Sequence, residues 1–129
     1  MKRFITLSLL ALYFLSGNSF TSMDGTLDEA KRTKVTKEIL NNLIKESYED
    51  ARKDFDPEFR KNLSAEKIGE VWKQVVSQNG NFSSVTTTSV GVTQGFNKVI
   101  MRLAFEDGKA TLESIFNTED KVIGLFLRP

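Results

Sequence analysis

The sequence predicts an α+β domain, three N-terminal helices packed on a four-stranded antiparallel sheet, and two observations carry that prediction. Up to Gly80 apolar residues recur at helical spacing, and from Asn81 the texture changes to β-branched and aromatic residues punctuated by glycine. Helices followed by strands place the helices together on one face of a sheet. At 129 residues and 40% hydrophobic content the chain suits one core.

The elements follow in order. Lys2 and Arg3 precede an apolar run of 12 residues, FITLSLLALYFL, and Gly17 and Ser19 supply the small residues of a signal peptidase site. A membrane-spanning helix needs roughly 20 residues. Residues 1–19 are therefore expected to be a signal peptide cleaved after Ser19, followed by a flexible lead over 20–26 and a single domain over 27–129. Without Lys2 and Arg3 the chain keeps 16 basic residues against 17 acidic ones, so no basic field points to nucleic acid. The absence of cysteine excludes a lipid-modified cysteine anchor, and the expected location is periplasmic or secreted.

From Leu27 to Phe55 there is no Pro or Gly, and Val35, Ile39, Leu43, Ser47, Ala51 and Phe55 recur every four residues, which predicts one long amphipathic helix. Asp56 then caps a short helix that opens on Pro57 and runs to about Leu63. Ser64 caps a third helix, with Ile68, Val71, Trp72 and Val75 on one side and Gly80 at its end. Breaks at TQGFN, EDGK and NTEDK divide the remainder into four strands.

The last three strands are apolar on both faces, where a half-solvated sheet should alternate. Reading Asp107-Gly108 as a two-residue turn sets Leu103 opposite Leu112, Arg102 opposite Glu113 and Ile100 opposite Ile115. With NTED as the next loop, Ile115 faces Val122 and Thr111 faces Phe126. Val99, Met101, Leu103, Leu112, Ile123, Leu125 and Leu127 then form the core face. The far face collects Ile100, Arg102, Glu113, Ile115, Val122 and Phe126, a patch that a second copy of the chain is expected to cover.

The stretch FDPEFRKNLSAEKIGEVWKQVVSQNGNF, with LAFEDGKATLESIFNTEDKVIGLFLRP, resembles an exported bacterial domain family of unknown function that occurs alone or ahead of α/β-hydrolase domains. Phe55-Asp56, Leu63-Ser64, Trp72, Gly80 with Phe82, Gly124-Leu125 and Pro129 carry the resemblance. It implies the cone-shaped fold of the nuclear transport factor 2-like superfamily, with a curved sheet, a hollow that often holds a small molecule and an outer face that often dimerises. It implies no catalytic residues, and a companion role to a hydrolase would act in trans.

The chain has no His and no Cys, which removes the commonest general base, the thiolate nucleophile and most transition-metal sites. Asp50, Asp54, Asp56 and Glu58 lack the ordered spacing of a calcium loop. Gly91 and Gly95 bracket a hairpin rather than a phosphate cradle. Tyr48 and Trp72, with Thr86, Thr88 and Ser114, are candidate pocket residues for a small ligand, although aromatics at helical spacing also serve as plain core. The expectation is a non-enzymatic, cofactor-free binding and assembly module that forms a homodimer. Its alternatives are an accessory subunit of a separate envelope protein or hydrolase and, behind it, an enzyme using a carboxylate or Tyr.

Overall fold

The computed structural model describes residues 26–129, with side chains from residue 28 onward. The expected signal peptide and nearly all of the expected lead lie outside the described residues. Helices α1 (Thr26–Ile44), α2 (Pro57–Asn62) and α3 (Ala65–Asn79) precede strands β1 (Phe82–Thr93), β2 (Phe96–Phe105), β3 (Gly108–Phe116) and β4 (Val122–Arg128). The strands form one antiparallel sheet in sequence order. No helix among the described residues is long and apolar enough to cross a membrane.

The predicted long first helix ends early, at Ile44. Glu46 takes a positive φ of 63°, its amide donates to the Leu43 carbonyl at 3.0 Å, and the Ser47 amide donates to the Asn42 carbonyl at 2.7 Å. This is a Schellman stop with Glu where glycine is usual. The chain then turns through a single 3-10 turn, Asp50–Arg52, which returns Ala51 and Phe55 to the core while leaving Ile44 exposed. Polar signals at the next two helices act as their chemistry requires. An Asp56 carboxylate oxygen accepts the Glu58 amide at 3.0 Å, Ser64 Oγ accepts the Lys67 amide at 3.1 Å, and Gly80 ends α3 at a φ of 84°.

Val35, Ile39, Leu40 and Leu43 of α1, Phe59 of α2, and Ile68, Val71, Trp72 and Val75 of α3 meet Val99, Met101, Leu103, Leu112, Phe116, Leu125 and Leu127 in one core. The side-chain parity of β2 and β3 is as expected, but their register is two residues away. Leu103 faces Ala110, Arg102 faces Thr111 and Ile100 faces Glu113, so the turn is Glu106-Asp107. The reason lies at the end of α3. The Asp107 amide donates to the Asn79 carbonyl at 2.7 Å and the Glu106 amide to the Asn81 carbonyl at 3.0 Å. Two such bonds, each worth about 0.5–1.5 kcal/mol net, outweigh the turn preference of Asp-Gly. Gly108 is needed instead because a β-carbon there would collide with the Asn79 side chain. Consecutive positive φ angles, 51° and 84°, occur at Gln94 and Gly95, between β1 and β2.

Strand β4 is likewise shifted by two, with Leu112 opposite Leu127 and Ser114 opposite Leu125. An irregularity between Ile115 and Phe116 then exchanges the faces of its first residues. Val122 pairs with Phe116 and joins the main core, whereas Ile123 packs on the opposite face. The cause is a parallel bridge to Phe55: the Val122 amide donates to the Asp54 carbonyl and the Val122 carbonyl accepts the Asp56 amide, both at 2.9 Å. Val122 thus leaves the expected outer patch and Ile123 leaves the expected core.

Replacing Glu46 by Gly is expected to stabilise the protein by about 0.5–1 kcal/mol, since only glycine enters the left-handed region freely. Urea unfolding measures this directly, and unchanged or lowered stability would contradict the assigned helix stop.

Candidate functional site

Five residues were expected to line a hollow. Trp72 is buried against Phe105, with ring centroids 5.7 Å apart. Between it and Leu43, Ile68, Val71, Leu112, Leu125 and Leu127 remains a cavity of about 10 Å³. That is room for roughly one water, and the walls are apolar. Helices and sheet therefore fill the hollow with their own side chains.

Ser114 is fully buried, but its partner is a helix residue. Thr36 Oγ1 donates to the Arg32 carbonyl at 3.0 Å, which leaves Ser114 Oγ to donate its own proton to Thr36 Oγ1 at 2.6 Å. Arg32, also buried, reaches Asp120 in the loop after β3 at 2.9 Å. Helix α1 is thus fixed to β3 and to the β3–β4 loop by polar contacts about one turn apart. The sequence reading missed all three: Thr36 could have been found because Leu40 and Leu43 follow it at helical spacing, Arg32 stands one turn before it on the same stripe, and Asp120 carried no such signal.

Thr86 and Thr88 do not join this group. They lie on β1 and are exposed, because the helices cover β2 and β3 more than β1, and Thr86 Oγ1 donates to the Arg102 carbonyl at 3.2 Å. Tyr48 stands apart as well, its ring lying against Gly69 of α3, where a β-carbon would fall 2.8 Å from the ring. The Tyr48 hydroxyl is buried and has no hydrogen-bond partner among the described residues. Burial of the phenol, and secondarily the Glu46 carboxylate, push its pKa above the usual value of 10.0.

The far face of the sheet divides in two. Over β3 and β4, Ile115, Ile123 and Phe126 form a second buried apolar cluster with Phe96 packed against it. Glu113 is buried within this face, with Arg128 Nη1 at 2.8 Å and Lys98 Nζ at 3.3 Å. The Arg128 guanidinium also lies over the Phe126 ring, 4.9 Å from its centroid. Toward β1 the face opens, with Ile100 half-buried and Arg102 exposed. Of the six interface candidates, Ile100 and Arg102 are therefore accessible; Glu113, Ile115 and Phe126 are buried in the folded chain, and Val122 belongs to the main core. Ile115 and Phe126 are already packed against Ile123, which only the irregularity in β4 brings to this face. Phe96 was missed, although its parity follows from the Gln94-Gly95 turn; Ile123 had no signal, since a bulge is invisible to period-two reading.

Among the described residues no three acidic side chains converge as metal ligands. Asp56, from the acidic segment, caps α2 and accepts a hydrogen bond from Asn117 Nδ2 at 3.3 Å.

Comparison with known families matches residues 36–125, more than half of the chain, to the family described as Protein of unknown function (DUF3887). No curated protein and no solved structure matches the chain.

Thr36→Val or Ser114→Ala alone is expected to cost about 1–3 kcal/mol, and the double variant clearly less than the sum, because removing both partners leaves no buried hydroxyl unpaired. Denaturant unfolding of the cycle checks this. For Tyr48, the phenolate absorbance difference between wild type and Tyr48→Phe should titrate above pH 10. Because the folded protein holds this proton more tightly, stability is intact below about pH 10 and falls as pH rises through the raised pKa.

Proposed function

The chain belongs to the family described as Protein of unknown function (DUF3887), and on that premise we propose that it is a non-enzymatic binding and assembly module that pairs with a second copy through the outer face of its sheet. The observation that carries this reading is the accessible part of that face: half-buried Ile100 with exposed Arg102 beside it, bordering the closed apolar cluster of Ile115, Ile123 and Phe126. A small-ligand role in the hollow gains little support, since about 10 Å³ admits no metabolite.

In this reading the chain is exported. Lys2, Arg3 and the apolar run after them direct it to the periplasm or outside, and cleavage near Ser19 removes that run. The fold proposed with it is the nuclear transport factor 2-like cone, a reading that three helices preceding a four-stranded antiparallel sheet support. An accessory subunit of a separate envelope protein is the second reading, and it would use the same face on another partner.

Light scattering across a concentration series tests the choice. The reading expects self-association that Ile100→Glu weakens at least tenfold in dissociation constant, with far-ultraviolet circular dichroism unchanged. A strict monomer would favour the accessory subunit, and an Ile100→Glu variant that associates like wild type would remove the outer face from the account.

A further inference from the structure

Strand β1 is an edge strand 12 residues long, FSSVTTTSVGVT, and it contains no charged residue and no proline. Its residues are exposed or half-exposed, including Val85 at 37%, Val90 at 44% and Val92 at 65%. Natural edge strands are usually kept from pairing by charge, proline, shortness or a covering element. The opposite edge meets that description. Strand β4 has 7 residues, its start is bridged to Phe55, and it ends at Arg128. On β1 the protection is limited to two irregularities, between Phe82 and Ser84 and between Val85 and Thr87, so Thr87 to Thr93 runs regularly.

We propose that β1 pairs antiparallel with β1 of a second copy, joining two four-stranded sheets into one of eight. Val85 and Val90 lie opposite Leu103 and Val99 and so share the helix side of the sheet, while Thr87 and Ser89 lie opposite Arg102 and Ile100 on the outer side. A two-fold axis at Thr88 sets Thr87 of one copy against Ser89 of the other and, with Thr86 left unpaired at the irregularity between Val85 and Thr87, Val85 against Val90. Each pair then joins residues of the same face, as antiparallel pairing requires. The strand carries no charge and its own residues supply same-face partners for one another, so a second copy fits it without like-charge repulsion between the paired strands. Beside Val90 an open cleft separates β1 from Glu29, Ala30, Thr33, Lys34 and Lys37 of α1, so an added strand enters along that helix.

The proposal rests on the reading of the chain as a self-associating module and adds an edge contact to the face contact. Its test is a charge swap in the full chain, purified as the cell processes it. Thr87→Lys with Ser89→Lys places like charges opposite one another at the axis, whereas Thr87→Lys with Ser89→Glu places opposite charges there; both sites are exposed, and circular dichroism checks the fold. By light scattering, the Lys/Lys variant is expected to show half the wild-type mass at a concentration where the Lys/Glu variant keeps it. Equal masses for the two variants overturn the edge pairing. If the swap changes nothing while Ile100→Glu lowers the mass, the face reading stands and the edge proposal falls. If the swap acts and Ile100→Glu does not, the edge proposal stands and the face reading falls. A wild type that is monomeric at every concentration overturns both.

Discussion

From Leu112 to Phe116 strand β3 is paired along both edges and buried on both faces, and the positions of the other elements follow from that constraint. On the helix side it presents Leu112, Ser114 and Phe116, and on the other side Glu113 and Ile115, all buried. A strand in this situation cannot alternate apolar and polar residues, because neither face meets water. This accounts for the apolar character of the C-terminal strands without an interface over every apolar residue. Ile115 and Phe126 are consumed within the chain by packing on Ile123.

Two polar residues in β3 show how such burial is tolerated. Ser114 would leave an unsatisfied hydroxyl were α1 not placed so that Thr36 meets it at 2.6 Å. Glu113 would be a stranded charge without Lys98 and Arg128 on the strands either side. In both cases the partner comes from a neighbouring element, so these contacts fix the position of α1 and the alignment of β2 and β4 more than they add to stability. The Arg32–Asp120 pair acts in the same sense at the next turn of α1.

Where local signals and side-chain period decided the outcome, the structure was legible in the sequence. Asp56, Ser64 and Gly80 carry caps whose chemistry is local, and the parity of β2, of β3 and of β4 beyond Ile123 followed from period-two reading. What escaped was set by contacts distant in sequence. The end of α1 at Glu46 uses a residue with no glycine signature, the β2–β3 turn is drawn back two residues by Asn79 and Asn81, and the start of β4 is turned over by its bridge to Phe55. The candidate site suffered most from the last of these, because one bulge moved Val122 into the core and put Ile123 in its place. Threonines in β1 were legible as strand formers, but their exposure depends on how far the helices extend across the sheet.

The central claim is that the sheet has a closed half built on β3 and an open half ending at β1. Amide hydrogen exchange in the native state, resolved by residue, tests it most directly. The account predicts that amides of β3 exchange last, at the rate of global unfolding, and that those of β1 exchange first among the strands in dilute protein. Amides of β3 exchanging as early as those of β1 would contradict it.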